Sequence, residues 1–288
     1  MYRHFARYNS SCATKFNPLI ENYKTLRHVH FPGITPFANG QKIQQDLISA
    51  NLDFKKMESK IKKQQKAIEA LGHLLLDYEE GIIGKVLEMK PFPTLLTFEF
   101  ENVYTGGKKE THDHDLPRKI AQYESLGCKY HQLERGGQNT WHGKGQLTAY
   151  LILDLKKFEN LTVKCYVESV LLKAIQVLLE KNYGLKGYIN ENPGVWMLPD
   201  NDKIASVGTN IQRAITSYGI ALNVDPDLKF LNTHVMCGLP GTKATSIKTL
   251  RPDLDLLVKD VAFEFSKEVA KRLNIQTVEH MNADEMGM

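Results

Sequence analysis

The sequence predicts an α+β (mixed α/β) fold, a single domain with a central mixed β-sheet flanked by helices. In three segments apolar residues recur mostly three, four or seven positions apart, the spacing of amphipathic helices. Other short runs are rich in β-forming residues, as strands are. Strands and helices do not alternate strictly, and no repeat of about 20 to 50 residues is visible, so one mixed domain is favoured.

Composition narrows the possible functions. With 288 residues and 42% hydrophobic content, the chain is long enough and apolar enough for a substantial core. No window approaches the roughly 18 uninterrupted apolar residues of a membrane-spanning helix. The formal net charge is only +4, and no basic run is interleaved with aromatic residues. We therefore expect neither a membrane nor a nucleic-acid partner.

Residues 1–20 are basic and contain no acidic residue, since Glu21 is the first in the chain. This bias is typical of a mitochondrial transit peptide, and a disordered basic tail is the alternative. We expect residues 1–20 to be absent from the mature protein and the folded domain to cover residues 21–288.

Three stretches have helical periodicity. From Gln41 to about Glu80 the spacing predicts one long or two shorter helices, ended by Gly81 and Gly84. A largely buried helix is predicted from about 163 to 179, stopped by Gly184. The last helix is expected to begin near Pro252-Asp253, a favourable helix start.

Strands are predicted between these helices. Residues 94–100 alternate in polarity, and an apolar run occupies residues 147–155. Shorter β-rich runs follow at 194–197, 204–207 and 220–224.

The four cysteines, Cys12, Cys128, Cys165 and Cys237, are widely spaced and form no C-x-x-C pair. This spacing predicts neither a zinc site nor a disulfide framework, and a reducing compartment is the default. Cys165 is interpreted as a core residue on its helix, and Cys237 as a usable thiol. His112 and His114 are expected to lie in a solvated loop and not at a metal site.

The segment Arg135–Gln146 is the most informative, with four glycines, an arginine, a tryptophan and a histidine in twelve residues. Glycine permits positive φ and the close approach of a ligand or another strand, so the segment is a candidate ligand cradle or a ligand-free hairpin. Its pattern, Arg-Gly-Gly-Gln-x-Thr-x-His-Gly-x-Gly-Gln followed by x-x-x-Tyr-x-Ile-Leu-Asp-Leu, closely resembles the signature of octanoyl/lipoyl-protein transferases. Blocks at 192–196, 203–208, 219–223 and 237–239 agree in order.

The resemblance runs from about Gly33 to the C-terminus and is strongest from Arg135 to Ser246. It implies the biotin/lipoyl protein ligase catalytic fold, and the family pattern indicates a helical insertion around residues 50–85. In this family a cysteine at the position of Cys237 takes the acyl group as a thioester, and a lysine at the position of Lys203 activates it. A free thiol has a pKa of about 8.5, and a nearby ammonium could lower it by about two, which corresponds to about 2.7 kcal/mol.

The resemblance also implies the reaction. The expected activity moves an octanoyl or lipoyl group from the phosphopantetheine of acyl carrier protein to a lysine of a lipoyl domain, as the first step of endogenous protein lipoylation. The acceptors would be 2-oxoacid dehydrogenase E2 subunits and the glycine cleavage H protein, in the mitochondrial matrix. A monomer that needs no cofactor, ATP or metal is expected. Besides the catalytic pair Cys237 and Lys203, the residues expected to contact substrate are Arg135, Gly136, Gly137, Gln138, Asn139, Thr140, Trp141, His142, Ser206, Val207, Gly208, Gly219, Ile220 and Ala221.

Some roles stay open at this level. His142 could orient the site, assist proton transfer or only hydrogen-bond its loop, and Arg135 could hold the loop or touch substrate. Lys144, Trp141 and Tyr218 depart from the family pattern, and Tyr218 stands where histidine is expected. The alternative functions are an ATP-dependent lipoate or biotin ligase, and a non-catalytic module that binds lipoyl domains.

Overall fold

The computed structural model describes Cys12, residues 15–233 and residues 242–283. The strands are β1 (Thr25–Thr35), β2 (Thr94–Phe100), β3 (Val103–Gly106), β4 (Lys129–Gln132), β5 (Thr140–His142), β6 (Gln146–Ile152), β7 (Gly187–Tyr188), β8 (Val195–Met197), β9 (Asp202–Gln212), β10 (Ile215–Asn223) and β11 (Thr277–Met281). The helices are α1 (Phe37–Ala70), α2 (Asp77–Glu88), α3 (Leu116–Ser125), α4 (Val163–Cys165), a π-helical stretch (Tyr166–Leu172), α5 (Lys173–Tyr183), α6 (Leu228–Leu231), α7 (Ile247–Leu250) and α8 (Val258–Arg272).

Eight strands form a mixed sheet in the order β11-β1-β2-β6-β10-β9-β8-β7. Strand β1 pairs in parallel with both β2 and β11, and the other neighbours are antiparallel. A second, three-stranded sheet has the order β4-β3-β5. The mixed sheet with its helices confirms the predicted fold class.

Side chains that alternate along β2 and β6 enter two different cores. Leu95, Leu147 and Leu151 pack with α5 and α8, whereas Leu96 and Tyr150 pack with the first half of α1. This alternation follows from the period of two in a strand. Helices therefore cover both faces of the large sheet.

The predicted helical region 41–80 forms two helices, and their boundary corrects the sequence prediction. Helix α1 continues to Ala70, and α2 begins at Asp77. Gly81 and Gly84, expected to end the helix, lie inside α2, while Gly72 at φ +77° follows α1. A glycine inside a helix costs only about 1 kcal/mol and does not stop it. The insertion around residues 50–85 stays a prediction.

Two further predictions need adjustment. The helix expected from 163 is present and ends at Gly184 in the left-handed conformation, but Tyr166–Leu172 is π-helical. The last helix begins at Val258 and not near Pro252. The Lys248 ammonium donates to the carbonyls of Pro252 and Leu254, so these carbonyls are used in a turn that precedes the helix. Among the described helices, none is sufficiently long and apolar to cross a membrane.

The part of the predicted transit peptide that the structure describes packs against the domain. Phe16 is only 2% exposed and belongs to the main core. Cys12 and Cys165 form a disulfide, which corrects the expectation of no disulfide and of Cys165 as a simple core residue. The two cysteines are 153 residues apart, so no local spacing could indicate the pair. The transit peptide stays a prediction, but a cut after residue 20 would remove Phe16 from the core.

Candidate active site

A cavity of about 390 Å³ lies where the glycine segment passes over the large sheet. It brings together almost every residue that the sequence predicted to contact substrate. Those lining it are Arg135, Gly136, Gly137, Gln138, Asn139, Thr140, His142, Ser206, Val207, Gly208, Gly219, Ile220 and Ala221. Lys203 also lines it.

Trp141 is the exception among the predicted contact residues. Its ring is buried outside the cavity lining and stacks on Phe230, with 5.2 Å between ring centroids. Side chains alternate along a strand, so Trp141 faces away when its neighbours Thr140 and His142 face the cavity. Its structural role is to fill a small core with Tyr104 and Tyr123.

The cavity floor is formed by small residues of two paired strands. In the register of β9 and β10, Ser206 lies opposite Ala221 and Gly208 lies opposite Gly219. Residues directly opposite each other in an antiparallel pair have adjacent side chains, so the small side chains of Ser206 and Ala221 leave space above the sheet, whereas Arg135 covers Gly208. That space is available to a ligand.

The roof is the loop that begins at Arg135. Its backbone is tied to the floor, because the N–H of Gly136 donates to the carbonyl of Thr209 at 3.0 Å. The Arg135 guanidinium donates to the carbonyl and hydroxyl of Thr105 at 2.7 and 2.8 Å and to the carbonyls of Gly136 and Gln138. Burial lowers its pKa. Of the two roles left open for Arg135, these contacts support holding the loop in shape.

The other end of the loop is held by Glu110. This buried carboxylate accepts a hydrogen bond from the side-chain amide of Asn139 at 2.8 Å and pairs with Lys119 at 3.3 Å. No sequence pattern indicated this contact, because Glu110 precedes Asn139 by 29 residues. The glycine-rich loop is therefore fixed at both ends.

His142 lies at the wall of the cavity and is buried. Its Nδ1 is 2.9 Å from Oε1 of Gln146 and 3.2 Å from the Thr148 hydroxyl. Burial, reinforced by the positive charge of Arg135, lowers its pKa to about 3. The imidazole is therefore uncharged near neutral pH and is a weak proton acceptor, which favours the hydrogen-bonding role over proton transfer.

Lys203, the lysine predicted to be catalytic, lies at the edge of the cavity. It is only 3% exposed and is therefore not a surface lysine. Its ammonium lies 4.9 Å from the centre of the Trp196 ring. Gly194, at φ +147°, leaves room for it, because a Cβ there would collide with the Lys203 side chain.

Cys237, the other predicted catalytic residue, lies outside the described residues. Residues 243–245, which follow it in the chain, are hydrogen-bonded beside β9. The Lys203 N–H donates to the Lys243 carbonyl, and the Thr245 N–H donates to the Lys203 carbonyl. The N–H of Ala244 also donates to the Asn232 side chain at 2.8 Å.

Several lining residues were not singled out from the sequence. Thr148 and Tyr150 occupy alternate positions of β6, and this polar alternation within an apolar run was a usable signal. Val167, on the π-helical stretch, gave no such signal. Further lining residues are Lys109, Leu133, Asn192, Pro193 and Thr209, together with Tyr218, which the sequence marked only as a departure from the family pattern.

His112 and His114 are exposed in the loop before α3, as expected of a solvated loop. Across the described parts of the chain, no three histidine, cysteine or acidic residues are grouped as a metal site would require.

Comparison with known proteins identifies the family. Residues 73–270 match the lipoyl protein ligase A/B catalytic domain. The mitochondrial octanoyltransferase of Saccharomyces cerevisiae is 40% identical over 306 residues, covering 99% of this chain and 92% of the relative. The mitochondrial octanoyltransferase of Kluyveromyces lactis is 40% identical over 289 residues, covering 93% of this chain and 86% of the relative.

Solved structures agree on the fold. A lipoate-protein ligase A bound with ATP superposes with a TM-score of 0.53 at 15% identity, over 68% of this chain and 79% of the ligase. A bipartite lipoate protein ligase from Thermoplasma acidophilum superposes with a TM-score of 0.54 at 11% identity, over 92% of this chain and 89% of the ligase. The chain belongs to the octanoyltransferase family and carries the lipoyl protein ligase A/B catalytic domain.

Proposed function

We propose that this enzyme transfers an octanoyl group from the phosphopantetheine thioester of acyl carrier protein to a lysine of a lipoyl domain, in the mitochondrial matrix. The main support is the buried Lys203 at a cavity with a floor of small residues, in a chain 40% identical to mitochondrial octanoyltransferases. The acceptors would be the lipoyl domains of 2-oxoacid dehydrogenase E2 subunits and the glycine cleavage H protein. We propose that the enzyme acts as a monomer and binds neither nucleic acid nor a membrane.

The first half-reaction forms an acyl-enzyme. The Cys237 thiolate attacks the thioester carbonyl of the donor, a new carbon–sulfur bond forms and the bond to the pantetheine sulfur breaks. The ammonium of Lys203 gives a proton to the departing pantetheine thiolate. The donor leaves as a free thiol, and Lys203 is left neutral.

The second half-reaction uses that neutral amine. The lysine of the lipoyl domain attacks the acyl-enzyme, Lys203 accepts the proton that the attacking amine loses, and the Cys237 thiolate departs. The product is an amide, and the enzyme returns to its starting charge state. Because a thioester is more reactive than an amide, we propose that neither ATP nor a metal is required.

Each half-reaction passes through a tetrahedral oxyanion that needs hydrogen-bond donors. Backbone N–H groups of the glycine-rich segments are the proposed source. Because the roof loop is held by Arg135 and Glu110, donors there would be in place before the substrate arrives. A preorganised donor of this kind typically contributes about 2.7–4 kcal/mol to the stabilisation of the transition state.

The test is the intact mass of the full chain after incubation with octanoyl acyl carrier protein. The wild-type enzyme should gain one octanoyl group and lose it when a lipoyl domain is added. Cys237→Ser should gain none, and the matched variant Cys128→Ser, which changes a free thiol that is buried in the structure, should be acylated like the wild type. Lys203→Met should slow acylation by at least about a hundredfold, the usual contribution of a general acid or base. Transfer by Cys237→Ser, or transfer only in the presence of ATP, would overturn the proposal.

A further inference from the structure

We propose that a basic groove beside helix α1 binds an acidic helix of the acyl carrier protein that donates the octanoyl group. This α1 groove has a volume of about 550 Å³ and lies between α1 and the turn Leu155–Lys157. The inference rests on the proposed function, because it takes the carrier as a substrate. The lysines that line the groove are Lys55, Lys62, Lys63, Lys66, Lys156 and Lys157.

The α1 groove carries a large excess of positive charge. Its six lysines face only two carboxylates, Glu58 and Asp154. Glu58 pairs with Lys62 and Lys157, and Asp154 pairs with Lys55. The excess of four positive charges (6 − 2 = 4) equals the formal net charge of the entire chain, +4. The positive charge of this protein is therefore concentrated here.

Three of these lysines are available to a partner. Lys63, Lys66 and Lys156 are exposed, and none of them pairs with a carboxylate in the part of the chain that the structure describes. Exposed charges of one sign attract a surface of the opposite sign and speed its association. The surface that fits the groove is therefore acidic.

The dimensions of the groove fit a helix. Lys55, Ser59, Lys62 and Lys66 follow one another at intervals of four, three and four residues, so they form one row along α1. The row covers 11 residues (66 − 55 = 11), which is about 16 Å or three helical turns. Lys156 and Lys157 form the opposite wall. A partner helix with carboxylates at the same spacing would lie between the two walls.

The two walls of the groove are held at a fixed separation. Lys55 of α1 donates to Asp154 at 2.9 Å, and Lys157 donates to Glu58 of α1 at 2.7 Å. Lys90, which is only 2% exposed, lies 3.4 Å from the Asp154 carboxylate and 4.0 Å from that of Glu58. A site that is formed before its partner arrives loses little free energy to reorganisation on binding.

The α1 groove lies on the same face of the large sheet as the active-site cavity. Tyr150 lines the cavity and packs with α1, and Asp154 in the groove follows it by four residues. At about 3.3 Å per residue, the groove begins about 13 Å from Tyr150. A folded domain of about 100 residues has a radius of gyration of about 13 Å, so a carrier bound in the groove would extend to the cavity.

This offset favours the donor over the acceptor as the occupant. The octanoyl thioester is attached to a flexible phosphopantetheine arm, so the carrier can bind beside the cavity and still deliver the acyl group. The acceptor lysine has only its own side chain, so its lipoyl domain must lie at the cavity mouth. A docking surface beside the cavity leaves that mouth open.

The test is steady-state kinetics of the full-length enzyme with octanoyl acyl carrier protein, with octanoyl-pantetheine and with a lipoyl domain. The triple variant K63E/K66E/K156E should lower kcat/KM for the carrier donor at low salt by at least about tenfold, the lower end of electrostatic steering. The loss should shrink at 1 M salt, where the screening length is about 3 Å. Activity with octanoyl-pantetheine and the KM for the lipoyl domain should stay as in the wild type.

The matched control is the triple variant K60E/K129E/K186E. It changes the same number of charges at exposed lysines outside the groove, one of them on α1 itself. This control should keep the wild-type kcat/KM for the carrier donor. An equal loss in both triple variants would mean that only the total charge matters, and the inference would be wrong.

The other outcomes separate the two proposals. If the wild-type enzyme transfers octanoyl from no carrier donor, the proposed function fails. If it does so and K63E/K66E/K156E keeps the wild-type kcat/KM for the carrier, only the docking inference fails. A loss confined to the lipoyl domain would assign the groove to the acceptor. Binding of a duplex oligonucleotide through these lysines, with unchanged carrier kinetics, would assign it to nucleic acid.

Discussion

Gly208 of β9 lies directly opposite Gly219 of β10, and the roof loop passes over this pair. The two glycines are constrained in different ways. A Cβ on Gly208 would lie 3.0 Å from the Cδ of Arg135, whereas a Cβ on Gly219 would collide with the carbonyl oxygen of Ala149. One substitution therefore disturbs a side chain of the site, and the other disturbs the sheet.

We expect Gly208→Ala to fold normally and to raise the KM for the acyl donor about tenfold, because the Arg135 side chain and its loop must shift. Gly219→Ala should lower the free energy of unfolding by about 1–3 kcal/mol, the usual cost of overpacking. Steady-state kinetics and urea unfolding of both variants separate these effects. A Gly219→Ala enzyme as stable as the wild type would contradict the assignment.

Arg135→Lys is expected to behave as a loss of function despite its retained charge. A lysine cannot reproduce the paired contacts to the carbonyl and hydroxyl of Thr105 together with those to the loop carbonyls. We expect kcat/KM for octanoyl transfer to fall by about a hundredfold, together with a loss of stability of about 1–3 kcal/mol from unpaired buried groups. The exposed Arg118→Lys, which changes a surface pair with Asp115, is the matched control and should change neither quantity.

The core of the fold could be predicted from the sequence because its signals are local. The run 94–100 has the polarity pattern of a strand and is β2, and Gly184 ends α5 as its conformational freedom suggested. The resemblance also placed most of the cavity lining correctly, because the glycine blocks keep their order along the chain. These features depend on a few neighbouring residues each.

The remaining features depend on residues far apart in the sequence. The Cys12–Cys165 disulfide joins residues 153 positions apart, and Glu110 supports Asn139 from a different segment. Trp141 is adjacent to cavity residues yet faces a core, which only the pairing of β5 with β3 decides. No periodicity within one element could reveal these contacts.

Phe16→Ala tests whether the early residues belong to the folded enzyme. Removing a buried phenylalanine costs about 3–5 kcal/mol, so the variant should be strongly destabilised. Leu19→Ala is the control, since Leu19 is 58% exposed and such changes usually stay within about 0.5 kcal/mol. Urea unfolding of both variants gives the comparison, and equal stability would mean that residues 15–20 do not contribute to the core.

His28 should make stability depend on pH. Burial, with a contribution from His280, lowers the pKa of His28 to about 3 from its usual 6.5. Between these values the unfolded chain binds a proton that the folded protein does not, so stability is complete above about pH 6.5 and falls as the pH decreases toward 3.

We expect His28→Gln, which cannot bind that proton in either state, to weaken this dependence. Between pH 6.5 and pH 5 the wild type should lose about 2 kcal/mol more than the variant. Urea unfolding at both pH values measures the difference. His142 is unchanged in both proteins, so its own titration cancels in the comparison, and parallel pH profiles would show that His28 is not responsible.

Strand β1 also has a consequence for how this protein reaches its native state. It lies between β2 and β11, so residues near the start of the chain complete their hydrogen bonding only with residues near its end. A chain that enters an organelle with its amino terminus first therefore holds an unsatisfied sheet edge until translocation is nearly finished. Such an edge invites pairing with other unfolded chains until β11 covers it.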